Sequence, residues 1–187
     1  MSNLTFGGPL REAGDEALSD DAALDVQREA FAYYETSPGG AGGGPGGPGA
    51  HVVQTHMTNT RNTPIEELEL SYPVRIVALE RRRSSGGRGR HAGGDGLSKE
   101  LLFLEPAHVS FVAQRQKKGP SGMAGGQPGK PGGLFLQAAA EQATRGKIAG
   151  GTLKNARWRR LPGTWSGRLA AGSRLRVDTP GGGGFGS

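Results

Sequence analysis

"LSKELLFLEPAHVSFVAQRQ", residues 97 to 116, contains two apolar and aromatic runs on either side of the dipeptide Glu105-Pro106. Runs of this composition and length favour β-strands, and proline interrupts a strand because it lacks a backbone N–H. The two predicted strands therefore form either a hairpin or a corner at Glu105-Pro106. The rest of the chain is interpreted around this pair of strands.

The preceding segment, "IEELELSYPVRIVALERR" at residues 65 to 82, predicts a short helix followed by a strand. The helix is expected to be capped by Thr63, with Pro64 at its first position. After Pro73 the sequence alternates with a period of two, and Val74, Ile76 and Ala78 share one face of the predicted strand. Two further strands are predicted at Leu134 to Gln137 and Arg174 to Asp178. The predicted fold class is mainly β with short helices (α+β), rich in loops.

Glycine and proline dominate the rest of the chain. The 187 residues include 35 Gly and 12 Pro, and 34% are hydrophobic, which predicts a small core and a chain that folds against a partner surface. "SPGGAGGGPGGPGA" at 37 to 50 favours a flexible linker, with a closely packed loop as the alternative. "TPGGGGFG" at 179 to 186 is expected to pack tightly against a part of a larger fold outside these residues, with an anion-binding loop of backbone N–H groups as the alternative.

Acidic residues are concentrated near the start of the sequence. Residues 1 to 30 carry seven acids against Arg11 and Arg28, a local charge of −5 within an overall +6. The segment 8 to 30 is interpreted as an acidic helix or insertion, which divides the chain into residues 1–30 and 31–187. Basic clusters at 81 to 90 and 157 to 176 indicate a solvated face or, less often, a site for a phosphate-rich partner.

Several functional classes lack their sequence signals. No cysteine is present, and no run of residues is long and apolar enough to predict a membrane span, so a cytosolic protein without membrane association is expected. Neither a G-x-x-x-x-G-K-[ST] loop nor a strand leading into G-x-G-x-x-G is found, and the four histidines do not show metal-ligand spacing. The sequence therefore predicts neither a metal site nor a nucleotide site of its own.

A polar loop, "HVVQTHMTNTRNTP" at residues 51 to 64, contains the candidate site residues. His56 suits proton transfer near neutral pH, Asn59 suits polarisation of a carbonyl, and Arg61 suits a carboxylate or phosphate. Thr60 belongs to the same predicted polar pocket. The alternative is a turn closed locally by the Asn and Thr side chains, in which Arg61 pairs with Glu66 or Glu67. Tyr33, Tyr34 and Glu35 are weaker candidates, with core packing the expected role of the two tyrosines.

The tract "SSGGRGRHAGG", residues 84 to 94, is similar to the RGG segments that bind nucleic acids through flexible arginines. It is a single block without interleaved aromatic residues. A turn between two strands explains the same residues, so nucleic-acid binding through Arg88 and Arg90 is kept as the alternative.

Several blocks follow one another in a fixed order and cover nearly the whole chain apart from residues 8 to 30. They are "NLTFG" (3–7), "FAYYET" (31–36), "THMTNTRNTPIEELELSYPVRI" (55–76), "SGGRGRHAGGDGLSKELLFLEP" (85–106), "GMAGGQPGKPG" (122–132) and "TPGGGGFG" (179–186). This series resembles the C-terminal end of the hydantoinase B/oxoprolinase family, in particular its ATP-dependent oxoprolinases.

This resemblance implies a glycine-rich portion of a larger fold that hydrolyses 5-oxo-L-proline, a cyclic amide, to L-glutamate at the expense of ATP in glutathione metabolism. It places ATP binding in a hydantoinase A-like part, and further sequence in an upstream hydantoinase B-like part, both outside this chain. The chain alone is then expected to be inactive. A non-catalytic relic that docks on a full-length homologue is the remaining alternative.

Two features depart from the family pattern. Gln54 stands where the family usually has histidine, so pairing of two imidazoles in "QTHMTNTR" is not expected. The segment 8 to 30 also interrupts a connection that is normally short.

Overall fold

A computed structural model describes residues 2–9, 30–55, 58–139 and 157–187, which form two antiparallel sheets and a short helix. The elements are β1 Ser2–Pro9, β2 Ala30–Ser37, α1 Ile65–Ser71, β3 Val74–Arg82, β4 Gly96–Phe103, β5 Ala107–Ala113, β6 Gly133–Gln137, β7 Arg159–Leu161, β8 Thr164–Leu169 and β9 Arg174–Asp178. The strand orders are β2-β1-β5-β8 in the four-stranded sheet and β3-β4-β9-β6-β7 in the five-stranded sheet. The mainly β class with a short helix is thus confirmed.

The two sheets enclose one continuous hydrophobic core. Phe6, Phe103 and Phe111 are fully buried, and the rings of Phe6 and Phe103 meet edge to face with centroids 5.5 Å apart. Because side chains alternate across a strand, each sheet sends every second residue into this core.

The strands predicted within residues 97 to 116 form a corner between the sheets. β4 pairs with β3 and β9 in one sheet, whereas β5 pairs with β1 and β8 in the other. The chain changes sheets at Glu105-Pro106, where proline ends the ladder. The strands predicted at β3, β6 and β9 are also confirmed.

The predicted cap of α1 is wrong. Pro64 is the N-cap residue, and no side-chain hydrogen bond caps the helix. The Thr63 hydroxyl instead lies 3.1 Å from the hydroxyl oxygen of Tyr33. Glu69, near the end of the helix, accepts a hydrogen bond of 2.7 Å from the backbone N–H of Ile76, so α1 is tied to β3.

We call the two packed sheets the sandwich. Four glycine-rich segments pack together beside it, and we call them the glycine bundle: residues 38–50, 84–95, 119–132 and 179–187. The last segment lies between the other three. Gly182 N–H donates to Gly94 O (2.8 Å), Gly184 N–H donates to Gln127 O (2.9 Å), and Gly183 O accepts from Gly43 N–H (2.8 Å). Hydrogen bonds between backbone groups of different segments therefore contribute much of the contact within this region.

Glycine is required where the segments of the bundle touch. A Cβ on Gly182 would lie 1.8 Å from Ala41 O, and a Cβ on Gly94 would lie 1.8 Å from Ala50 O. The segment 37 to 50 is thus the closely packed loop and not a flexible linker. "TPGGGGFG" packs tightly as expected, but its neighbours belong to this same chain.

The predicted acidic insertion falls largely outside the described residues. Gly8 and Pro9 belong to β1 and Ala30 begins β2, while residues 10–29 are not described. The division at residue 30 stays a prediction. Among the described residues, no helix has the length and apolar character needed to cross a membrane.

Candidate functional site

The polar loop runs along the edge strand β2. Val53 N–H donates to Gly39 O (2.8 Å), and Gln54 Nε2 donates to Thr36 O (2.6 Å). The Gln54 side chain therefore provides a hydrogen-bond donor for a backbone carbonyl of the edge strand, and this carbonyl would otherwise face solvent. The residue that departs from the family pattern has a structural role in this chain.

A buried ion pair lies beside this loop and joins the two sheets. Lys99 Nζ on β4 lies 2.9 Å from both carboxylate oxygens of Glu35 on β2, and each side chain is 5% exposed. A buried ion pair of this kind is stable only when the hydrogen-bond donors and acceptors of both side chains have partners. The pair fixes the relative position of an edge strand in one sheet and an inner strand in the other.

Further polar side chains complete this cluster. The Tyr33 hydroxyl donates to Glu35 Oε2 at 2.7 Å, and the side chain of Asn62 also hydrogen-bonds to Glu35. Through Asn62 and Thr63, the end of the polar loop is held on the ion pair. We call Tyr33, Glu35, Asn62, Thr63 and Lys99 the polar cluster.

The electrostatics of the polar cluster keep Glu35 ionised. Burial opposes the charged carboxylate, but Lys99 and the hydrogen bonds from Tyr33 and Asn62 outweigh it, and the pKa of Glu35 is lowered. Burial and the neighbouring carboxylate raise the pKa of Tyr33, which stays a neutral donor. A cluster with these charge states is suited to positioning the polar loop, and less to exchanging protons with solvent.

The structure places two of the three predicted site residues on the surface of the polar loop. Asn59 and Arg61 are exposed, and so is Thr60. His56 lies outside the described residues. No ion pair joins Arg61 to Glu66 or Glu67 in the part of the chain that the structure describes.

The threonines of the loop do form a local turn. Thr58 Oγ1 donates to Thr55 O and Thr60 Oγ1 donates to Thr58 O, both at 2.9 Å. This is the self-bonded turn that the sequence offered as an alternative. It leaves the side chains of Asn59 and Arg61 directed to solvent, available to a ligand or to another part of a larger protein.

A second buried carboxylate, Asp95, organises the glycine bundle. Asp95 Oδ1 accepts hydrogen bonds from the backbone N–H groups of Ser85 (2.9 Å) and Gly86 (3.0 Å), and its own N–H donates to His51 Nδ1 (2.8 Å). Burial opposes ionisation, but these hydrogen bonds, His51 and Arg81 lower the pKa of Asp95. Asp95 thus links the start of the polar loop to the bundle.

Lys99, Asn62 and Asp95 were missed as site residues. Lys99 had a usable signal, because it occupies an inward position of β4 between Leu97 and Leu101. A lysine at such a position requires a buried anion. Glu35 occupies the matching inward position of β2, after Phe31 and Tyr33.

The RGG-like tract is part of the glycine bundle. Arg88 and Arg90 are exposed, but a Cβ on Gly87 would lie 2.0 Å from Gln127 O, so the glycines serve close packing. Across the described ranges, no group of three or more His, Cys, Asp or Glu side chains is arranged to hold a metal ion.

Comparison with known proteins gives consistent matches. The sequence profile of the family described as Hydantoinase B/oxoprolinase matches residues 1–187. The protein named 5-oxoprolinase 1 from Arabidopsis thaliana is 40% identical over 187 residues, which are 100% of this chain and 12% of that protein. The chain therefore spans about one eighth of the length of this relative.

Two solved structures share the fold. A nucleotide-free structure of an acetone carboxylase, described as carrying out ATP-dependent acetone carboxylation, matches with a TM-score of 0.70 and 18% identity, over 100% of this chain and 25% of that chain. The ATP-dependent caprolactamase from Pseudomonas jessenii matches with a TM-score of 0.68 and 20% identity, over 98% and 28%.

Proposed function

This chain belongs to the hydantoinase B/oxoprolinase family, and from that premise we propose that it forms one part of an ATP-dependent 5-oxoprolinase. The observation that carries the proposal is the match of the whole chain to about one eighth of a plant 5-oxoprolinase. The assembled enzyme would hydrolyse 5-oxo-L-proline to L-glutamate. A cytosolic location and a role in glutathione metabolism stay predictions.

The chemistry explains why ATP is used. A five-membered lactam is a poor electrophile, and phosphorylation of its amide oxygen converts that oxygen into a leaving group. One water then adds to the activated carbon, and the ring C–N bond breaks to leave a free amine and an acyl phosphate. A second water hydrolyses the acyl phosphate to the carboxylate and inorganic phosphate. ATP binding and phosphoryl transfer are assigned to parts of the larger protein outside this chain, so the chain alone would not turn over substrate.

Within the larger enzyme, the exposed side chains of the polar loop would contact the substrate. Arg61 would bind the carboxylate of 5-oxo-L-proline through a bidentate ion pair, and Asn59 would donate its amide N–H to the lactam oxygen. His56 is the proposed proton carrier. Gln54 and the polar cluster would position the loop from its two ends.

A chimera tests this function. The matching region of the Arabidopsis thaliana 5-oxoprolinase 1 is replaced by this 187-residue chain, and glutamate formation and phosphate release are measured with 5-oxo-L-proline. The chimera is expected to be active, and the isolated chain inactive. A folded chimera without oxoproline-dependent ATP hydrolysis would contradict the proposal and favour a non-catalytic relic.

The role of Arg61 is tested within an active chimera. Arg61→Ala is expected to raise KM for 5-oxo-L-proline by about tenfold or more, because the substrate carboxylate loses its ion pair. Arg83→Ala, which removes another exposed arginine, is the matched control and should leave KM unchanged. Equal KM values in the two variants would show that Arg61 does not bind the substrate.

A further inference from the structure

We propose that the surface formed by the glycine bundle and the β5–β6 connection is a cationic docking face for a carboxylate-rich protein surface, supplied by the remainder of the larger enzyme. This inference rests on the proposed function. The face consists of six exposed cations: Arg88, Arg90, Arg115, Lys117, Lys118 and Lys130.

Backbone hydrogen bonds place these cations on neighbouring segments. Gln127 N–H donates to Arg88 O (2.7 Å), and Lys130 N–H donates to Ser85 O (2.7 Å). Gly129 N–H donates to Pro120 O (2.9 Å), and Gly132 N–H donates to Arg115 O (3.0 Å). The segment 127–132 therefore lies between the segments that contain Arg88 and Arg115, so the chain segments that carry the six exposed cations are neighbours in the fold.

Within the residues that the structure describes, no acidic side chain is paired with the cationic face. Residues 106–139 and 157–177 contain no Asp or Glu. In the described ranges, none of the six cations takes part in an ion pair, whereas Arg81, Arg82, Arg174 and Arg176 all do. Six like charges without counter-charges repel one another and destabilise the folded chain. A surface of acidic side chains would remove that repulsion.

The composition of the face favours a protein partner over a nucleic acid. Segments 84–94 and 114–132 contain no Phe, Tyr or Trp, the side chains on which bases stack. Phe185, the aromatic residue of the glycine bundle, is half-buried, with its ring centroid 6.5 Å from that of His91. Met123 on the bundle is 68% exposed, and methionine is enriched in protein interfaces. Because the chain spans about one eighth of its plant relative, the remainder of such an enzyme offers a large partner surface.

Lysine labelling tests the proposal directly. The isolated chain and the chimera are acetylated under the same conditions, and modification of Lys117, Lys118 and Lys130 is quantified by mass spectrometry. All three lysines are expected to react at least about tenfold more slowly in the chimera, because the docked surface excludes the reagent. Equal reactivity in a folded chimera would overturn the proposal. If the chimera does not fold, the same labelling is done on the chain mixed with the remaining polypeptide of the relative, under the same two criteria.

Charge reversal provides the second measurement. Lys118→Glu/Lys130→Glu is expected to lower the melting temperature of the chimera at low salt and to lose that effect at high salt. Arg75→Glu/Arg83→Glu changes the net charge equally on exposed residues outside the face and is the matched control. Equal effects of the two double variants would count against a docking role.

The outcomes separate this inference from the proposed function. An active chimera with unprotected lysines overturns the docking face and leaves the enzyme assignment intact. An inactive chimera with protected lysines supports the docking face and contradicts the enzyme assignment. Protection of the isolated chain by a homopolymeric RNA, without protection in the chimera, would overturn the inference in favour of nucleic-acid binding.

Discussion

The sandwich and the glycine bundle exclude water by different means. In the sandwich, Phe103 and Leu101 are completely buried among other apolar side chains. In the bundle, Gly181 to Gly184 are buried although they have no side chains, because backbone N–H and carbonyl groups of neighbouring segments bond to one another. Burial in a folded chain therefore does not require apolar side chains where backbone groups find partners.

Each region also contains a buried carboxylate with several partners, Glu35 in the sandwich and Asp95 in the bundle, and these two differ in what binds them. Glu35 in the sandwich is bound by the ammonium group of Lys99, whereas Asp95 in the bundle is bound by backbone N–H groups. The sandwich thus depends on paired side chains and the bundle on its backbone. Single substitutions in the two regions are expected to differ accordingly.

The largest effect is expected in the sandwich core. Phe103→Ala should lower the free energy of unfolding by about 4 kcal/mol, because it removes a fully buried ring and leaves a cavity. Urea unfolding of the 187-residue chain measures this change. Val112→Ala, at a half-exposed position of β5, is the control and should cost far less. Similar losses in both variants would mean that the sandwich core does not dominate stability.

The buried ion pair comes next. Lys99→Met should cost about 3 kcal/mol, because it leaves the Glu35 carboxylate buried without its counter-charge. Adding Glu35→Gln should recover much of this loss, since the amide is neutral and still accepts a hydrogen bond from Tyr33. A double variant no more stable than Lys99→Met would contradict this account of the pair.

In the bundle, a single methyl group is expected to act through the backbone. Gly182→Ala should cost about 2 kcal/mol, because its Cβ would lie 1.8 Å from Ala41 O and the segments must separate. Gly44→Ala is the matched control, since a Cβ there meets nothing within 4 Å.

Hydrogen exchange shows where the Gly182→Ala variant opens. Amides of the bundle, such as that of Gly184, should lose protection, while those of β4 keep it. Equal loss in both regions would mean that the sandwich and the bundle unfold as one unit.

The sequence predicted the sandwich better than the bundle, for a physical reason. Strands such as β3 and β9 show alternating side chains, and that alternation is local. It also places Lys99 among inward residues, so its buried partner was predictable in principle. Glycines carry no such pattern, and nothing local indicates that Gly182 meets Ala41 or that Gly94 meets Ala50. The choice between a hairpin and a corner at Pro106 stayed open because proline ends a strand in both.

The smallest predicted effect concerns Asp95 and depends on pH. The pKa of Asp95 is lower in the folded chain than its ordinary value, so its contribution to stability is present above the unfolded pKa of about 3.9 and is lost as the pH falls through the folded pKa. Asp95→Asn should therefore cost about 1 kcal/mol at pH 7, through weaker hydrogen bonds from Ser85 and Gly86, and much less below the folded pKa. Glu35 loses its contribution in the same acidic range, so the difference between the two proteins, measured by urea unfolding at each pH, isolates Asp95. Glu80→Gln, at an exposed position, is the control. If the cost of Asp95→Asn does not change with pH, the shape of the Asp95 side chain, and not its charge, stabilises the bundle.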